Sequence, residues 1–113
     1  MDTAAVYRRL IARMDRHAPA EQQWRLLMAA HIAGQFELAL HWDSHCRMLA
    51  LAWRQCNAGE VAGQLLRLAL VPVGHALGRL PAGNVGRSTV SAFRPMQAPP
   101  EVAALLHWAR QPA

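Results

Sequence analysis

Apolar residues return every three or four positions along most of this chain, and that spacing confines it to helices more firmly than any other feature. Ala5, Val6, Leu10, Ile11 and Met14 mark a first helix over about residues 2–17. Pro19 ends it or opens the next segment. Trp24, Leu27, Met28 and Ile32 carry a second helix, with Gly34 as its C-terminal stop. A third runs from about Phe36 to Cys56 through Leu40, Met48, Leu49 and Trp53. The turn CNAG at 56–59 separates it from a fourth, which begins near Glu60 and continues through Leu65, Leu66 and Leu70. Pro72 is expected to kink or end that helix, because proline lacks the N–H that the helical ladder needs. A fifth spans about Glu101 to Arg110.

Between residues 80 and 100 the pattern changes. LPAGNVGRSTVSAFRPMQAPP carries Pro81, Pro95, Pro99 and Pro100 with Gly83 and Gly86, and its apolar residues keep no helical period. A loop of that length inside a compact domain is usually functional, disordered or packed as a strap. Phe93 and Met96 suggest a strap plugged onto a helical body. The 113 residues fit a single domain able to bury one core, and 53% hydrophobic against 17% charged residues argues against disorder. The short connections between the first four helices favour antiparallel neighbours. The expected fold is a small all-α domain, 1–113, of about five antiparallel helices. Its second and third helices resemble a helix-turn-helix pair of the tetratricopeptide kind, on Trp24, Leu27 and Gly34. No second copy follows at a repeat period.

All twelve basic residues are arginine, and the net charge is +5. Arg8, Arg9, Arg13 and Arg16 form the one dense group, in YRRLIARMDRH. Only Tyr7 accompanies it as an aromatic, so a solvated helix face is expected there rather than nucleic-acid binding. No apolar run approaches the length that spans a bilayer, and no secretory signal opens the chain. Cys46 and Cys56 on one helix would stand about 15 Å apart, too far to bridge. Two unpaired thiols fit a reducing cytoplasm, the expected location.

The chemistry concentrates in HWDSHCRML, residues 41–49. At about 100° per residue, His41, His45 and Met48 share one helix face, while Cys46 and Asp43 point elsewhere. Two imidazoles at i and i+4 can converge on one metal ion. If the second and third helices fold back on each other, His31 comes level with His41, and three nitrogens form a site with an open position. Met48 would add a soft thioether, favouring copper over magnesium or calcium. Gln35, four residues after His31, would stand behind the ligands or add an oxygen. His17, His75 and His107 have no histidine partner at useful spacing and are expected to be structural or exposed. The bland alternative for the cluster is a hydrogen-bonded polar seam between helices.

Other chemistry is thin. A phosphate loop with its lysine is excluded, and there is no CxxC or Gly-x-Ser-x-Gly. Asn84 and Gly86, with Gly83, could form an anion-binding nest assisted by Arg87 and Arg94. The competing use of such residues is to supply turns.

AHIAGQ at 30–35, the H-x3-H-x2-ML pattern at 41–49, EVAGQLLR at 60–67 and PAGNVGRSTVSAFRPM at 81–96 together resemble a bacterial domain of unknown function, the DUF3703 family. The likeness covers roughly residues 20–108. It places His31, Gln35, His41, His45, Gln64 and the stretch from Asn84 to Met96 on motif positions, so Gln64 joins Gln35 as a candidate supporting residue. The family reads close to P-x-G-N-T-G-G in the loop, where this chain has Val85 and Arg87. The resemblance implies no activity.

The expectation is therefore a transition-metal site of copper, zinc or iron on His31, His41 and His45, serving metal handling or a small metal-dependent enzyme. The alternative is a non-enzymatic helix-pair adaptor that binds a protein or peptide partner.

Overall fold

A computed structural model describes residues 2–112. It contains five helices: α1 (Thr3–Ala12), α2 (Ala20–Gly34), α3 (Leu38–Arg54), α4 (Ala58–Leu77) and α5 (Pro100–Ala109). Residues 79–99 are irregular. Among the described residues no helix is long and apolar enough to cross a membrane.

Helix α2 is the centre of the packing, touching α1, α3 and α5, while α4 packs on α3. Its sequence explains why. Trp24, Leu26, Leu27, Met28, Ala29 and Ala30 bury nearly every direction of the helix, as a helix enclosed by others requires. Gly34 closes α2 by close approach rather than by a left-handed turn. A Cβ there would stand 2.7 Å from the Leu40 Cβ, so a side chain would push α3 away. Only three residues join α2 to α3, which makes them antiparallel neighbours. Around this pair, Tyr7 donates to Asp43 Oδ2 at 2.6 Å, tying α1 to α3. Arg9 and Arg13 stack on Trp108 and tie α1 to α5, so half of the N-terminal arginine group is spoken for within the fold.

Two expectations fail and one, that Pro72 kinks or ends α4, narrows, each for a local reason. The first helix stops at Ala12 instead of near residue 17. The Arg13 and Met14 N–H groups close it with i→i−3 bonds, and Asp15 then takes the His17 N–H with its own side chain, an Asx turn that competes with helix. Pro72 does not end α4, which continues to Leu77. The stop comes at Gly78 (φ 65°), where the Gly78 and Arg79 N–H groups bond the His75 and Gly74 carbonyls as in a Schellman turn. Phe93 does not plug the loop, being 73% exposed. Val85, at 3%, is the plug, with Met96 and Val90 partly buried beside it.

Helix α4 is turned the unexpected way. Its buried residues are Glu60, Gln64, Arg67 and Val71, a polar stripe at i, i+4, i+7 and i+11, while Leu65 and Leu66 are more than half exposed. Burying such a stripe costs several kcal/mol unless every group finds a partner. Most of those partners are the loop and the histidines.

Candidate metal centre

His31 reaches inward from the last turns of α2, and His41 and His45 from the first half of α3. All three are buried, at 2%, 6% and 2% exposure. Their ring centroids form a nearly equilateral triangle of 4.7 to 5.0 Å. The Nε2 atom of His41 lies 3.1 Å from that of His31 and 3.2 Å from that of His45. Nitrogen ligands about 2.05 Å from one metal stand about 2.9 Å apart at a right angle and about 3.4 Å apart at the tetrahedral angle. Both separations to His41 fall between those limits, and the three histidines' ligand atoms all lie within 4.8 Å of one another.

What each outer nitrogen touches decides what the inner one offers. His31 Nδ1–H donates to the Asn84 carbonyl at 2.7 Å, since a carbonyl only accepts. Gln64 Nε2 donates to Glu60 Oε1 (3.0 Å) and to the Gly86 carbonyl (2.9 Å), which turns the Gln64 oxygen toward His45. His45 Nδ1–H therefore donates to Gln64 Oε1 at 2.7 Å. Both histidines are left with a bare Nε2 lone pair facing inward, the tautomer that metal-ligating histidines are held in by such partners.

His41 differs, because its Nδ1 faces another imidazole, His75 Nε2, at 2.9 Å. Two proton arrangements satisfy the cluster. In one, His75 donates to His41 Nδ1, and the His41 Nε2–H is shared between His31 and His45. In the other, His41 Nδ1–H donates to His75 and three lone pairs face one centre. The two states carry the same charge, so passing from one to the other releases no net proton.

All three imidazoles are neutral near pH 7. Burial, then the neighbouring His45 and His41, pushes the His31 pKa well below its ordinary value. Burial, followed by His45 and His75, lowers His41 to about 3. Burial, opposed by the Gln64 hydrogen bond and reinforced by Arg67, lowers His45 to about 4.

The loop is the other wall of the site. Its Asn84 side chain donates to the Ser91 and Arg94 carbonyls and accepts from the Gly86 N–H. Of the N–H groups of the expected anion nest, those of Asn84, Gly86 and Arg94 bond the Pro81 carbonyl, Asn84 Oδ1 and the Ser91 carbonyl inside the loop. Arg87 lies over the Trp24 ring and 3.7 Å from Glu60 and from Glu21, and Arg94 is exposed. Gly86 has φ 86°, and a Cβ on it would stand 2.8 Å from His31 Cδ2. Glu60 anchors the network by accepting from the Ser88 N–H at 2.8 Å and from Gln64. Burial opposes its charge, but those two donors and Arg87 outweigh it and hold its pKa below the usual value.

A cavity of about 260 Å³ adjoins the three histidines, lined also by Gln35, Arg67, Leu70, Leu77 and Phe93 among others. Gln35 donates to the Pro81 carbonyl at 2.6 Å, and its buried Oε1 has no partner. Met48 is fully buried in the apolar core and is not among the residues that line the cavity. His17 and His107 are exposed. His75 was not expected at the site, and neither were Glu60 and Arg67.

A family model described as "Protein of unknown function (DUF3703)" matches residues 2–106. The chain belongs to the DUF3703 family. The match takes in α1 through most of α5, so this DUF3703 chain carries its whole histidine cluster and the loop behind it inside the family's span. No curated protein and no solved structure matches it, and the tetratricopeptide likeness of α2–α3 rests on sequence alone.

Proposed function

We propose that this DUF3703 protein binds a transition-metal ion through the Nε2 atoms of His31, His41 and His45. One observation carries the reading. The three nitrogens converge while a backbone carbonyl, a glutamine oxygen and a fourth histidine hold the outer nitrogens. A polar seam has no need to aim two fixed lone pairs at each other across a third ring. Imidazole donors suit zinc, copper and iron alike, and three ligands leave a position open toward the cavity. Such a centre serves metal handling or metal-dependent catalysis, where the open position polarises a ligand or activates water. Gln35 and Gln64 act as supporting residues, with Gln64 orienting His45.

The test is metal analysis of protein purified without an affinity tag. About one ion per chain is expected, lost in His41→Ala and His45→Ala and kept in His107→Ala. Wild-type protein that takes up no added copper, zinc or iron would refute the proposal.

A second reading, a non-enzymatic adaptor for a protein or peptide partner, is favoured by a different surface. Trp53 and Leu65 are 73% and 53% exposed and line one hollow between α3 and α4 with Leu49 and Val61. The two readings concern different faces of α4 and are compatible.

A further inference from the structure

We propose that the open side of the histidine centre takes a carboxylate with an apolar tail. One carboxylate oxygen sits at the metal's free position, the other on Arg67, and the tail lies in the adjoining cavity. The inference rests on the metal reading and names what that site is for.

The charge balance comes first. Three neutral imidazoles leave the full charge of a divalent ion uncompensated, and no aspartate or glutamate shares their face. Arg67 adds a further positive charge. It lines the same cavity, is 7% exposed, and has no carboxylate within 4.0 Å among the described residues. Its Nη1 and Nη2 groups donate to the neutral carbonyls of Gly63 and Val90. Its Nε–H has no partner at all. The one buried acid nearby, Glu60, is already held by the Ser88 N–H, Gln64 and Arg87. Glu60 favours the Arg67 charge only from beyond contact distance, and burying a cation with no carboxylate in contact beside a second positive centre is unfavourable unless an anion completes the site.

Shape selects the class of anion. The metal's free position and the unpartnered Arg67 Nε–H offer one place for each oxygen of a carboxylate. Beyond Arg67 the cavity is mostly apolar, lined by Leu70, Val71, Leu77, Leu80 and Phe93, with Arg79 also on its wall. About 260 Å³ next to the histidines gives a short hydrocarbon tail a place to leave water. Gln35 Oε1, buried and unpartnered on the same cavity, accepts from a metal-bound water or from a hydroxyl on the ligand.

Cobalt(II) is the probe, because its visible bands respond to what fills the open position of a three-nitrogen site. The cobalt-loaded protein is titrated with straight-chain carboxylates from acetate to octanoate. The bands are expected to shift on titration, and the apparent Kd to tighten by about fourfold per added methylene until the cavity is full. Metal-free protein should bind none of them. Ala92→Phe, which narrows the cavity wall, should abolish the gain from longer chains and leave acetate unchanged. Arg67→Met should retain cobalt and lose the carboxylate response; the chain-length series on unmodified protein decides the matter even if that variant does not fold. Cobalt bands that ignore every carboxylate overturn this inference and leave the metal reading standing. Protein that binds neither cobalt nor zinc overturns both.

Discussion

Gly86→Ala tests the packing of the loop on the metal centre with one methyl group. Gly86 sits at φ 86°, where an L side chain costs about 1–2 kcal/mol. Its new Cβ would lie 2.8, 2.9 and 3.0 Å from His31 Cδ2, Cγ and Nε2, well inside ordinary contact. Retreat of the imidazole would strain or break the bond from its Nδ1 to the Asn84 carbonyl two residues before the substitution. Overpacking of this kind adds about 1–3 kcal/mol. The expected destabilisation of the metal-free protein is therefore about 2–5 kcal/mol, a large part of a typical domain's stability. Metal affinity falls as well, by about 10–100-fold, since both His31 and, through the Gly86 carbonyl and Gln64, His45 are displaced. Urea unfolding measures the first effect and competition with a chelator the second. Gly59→Ala is the control, because a Cβ in that first helical turn meets only Asn57 Oδ1 at 3.7 Å and should be neutral or mildly stabilising. A Gly86→Ala protein within about 0.5 kcal/mol of wild type, with unchanged metal affinity, would refute the loop-on-histidine packing.

Other expectations follow from the same geometry. His75→Ala should lower metal affinity about tenfold or more by leaving His41 Nδ1 without its partner, and chelator competition reads the change. Nitrogen chemical shifts of His41 should report a move of its proton from Nε2 to Nδ1 on metal loading in wild type, and no such ordered move in the variant. The metal-free protein should lose stability on acidification. A histidine whose folded pKa is depressed contributes stability that is present above its unfolded value of about 6.5 and lost as pH falls through that value. The loss continues toward the folded values, about 4 for His45 and about 3 for His41. Between pH 7.5 and 5.5 each such histidine removes up to about 1.4 kcal/mol, which urea titrations across that range would detect. A flat profile would contradict the buried, neutral cluster. Finally, Cys56 holds φ 55° as the left-handed residue that ends α3 and is exposed, so Cys56→Gly should stabilise the fold by about 1 kcal/mol, visible as a higher Tm.

The reach of the sequence can be judged residue by residue. Helical facing was enough to bring His41 and His45 together and to set aside Asp43, which bonds Tyr7 and Arg47 on another face. The short α2–α3 connection was enough to add His31. His75 lies 34 residues from His41 on another helix, and spacing within one element says nothing of such a pair. Met48 shares the angular position of the ligands but lies farther along α3, where the core rather than the cavity covers it. Helix α4 misled more deeply. Its leucines and its Glu60–Gln64–Arg67 stripe occupy different faces, and hydrophobicity alone assigns the leucines inward. The polar face is buried instead because the loop and His45 satisfy it, and those partners are distant in sequence. Four regularly spaced positions bearing Glu, Gln, Arg and Val were the available signal. Phe93 was chosen as a plug by size, whereas the smaller Val85 enters the core because its neighbours Asn84 and Gly86 bind the loop to α2 and α4.

X-ray absorption at the metal edge of the loaded protein tests the central claim most directly. The account predicts three imidazole nitrogens and one further light atom at about 2.0 Å, with no sulfur near about 2.3 Å. A sulfur shell, or fewer than three imidazoles, would contradict it.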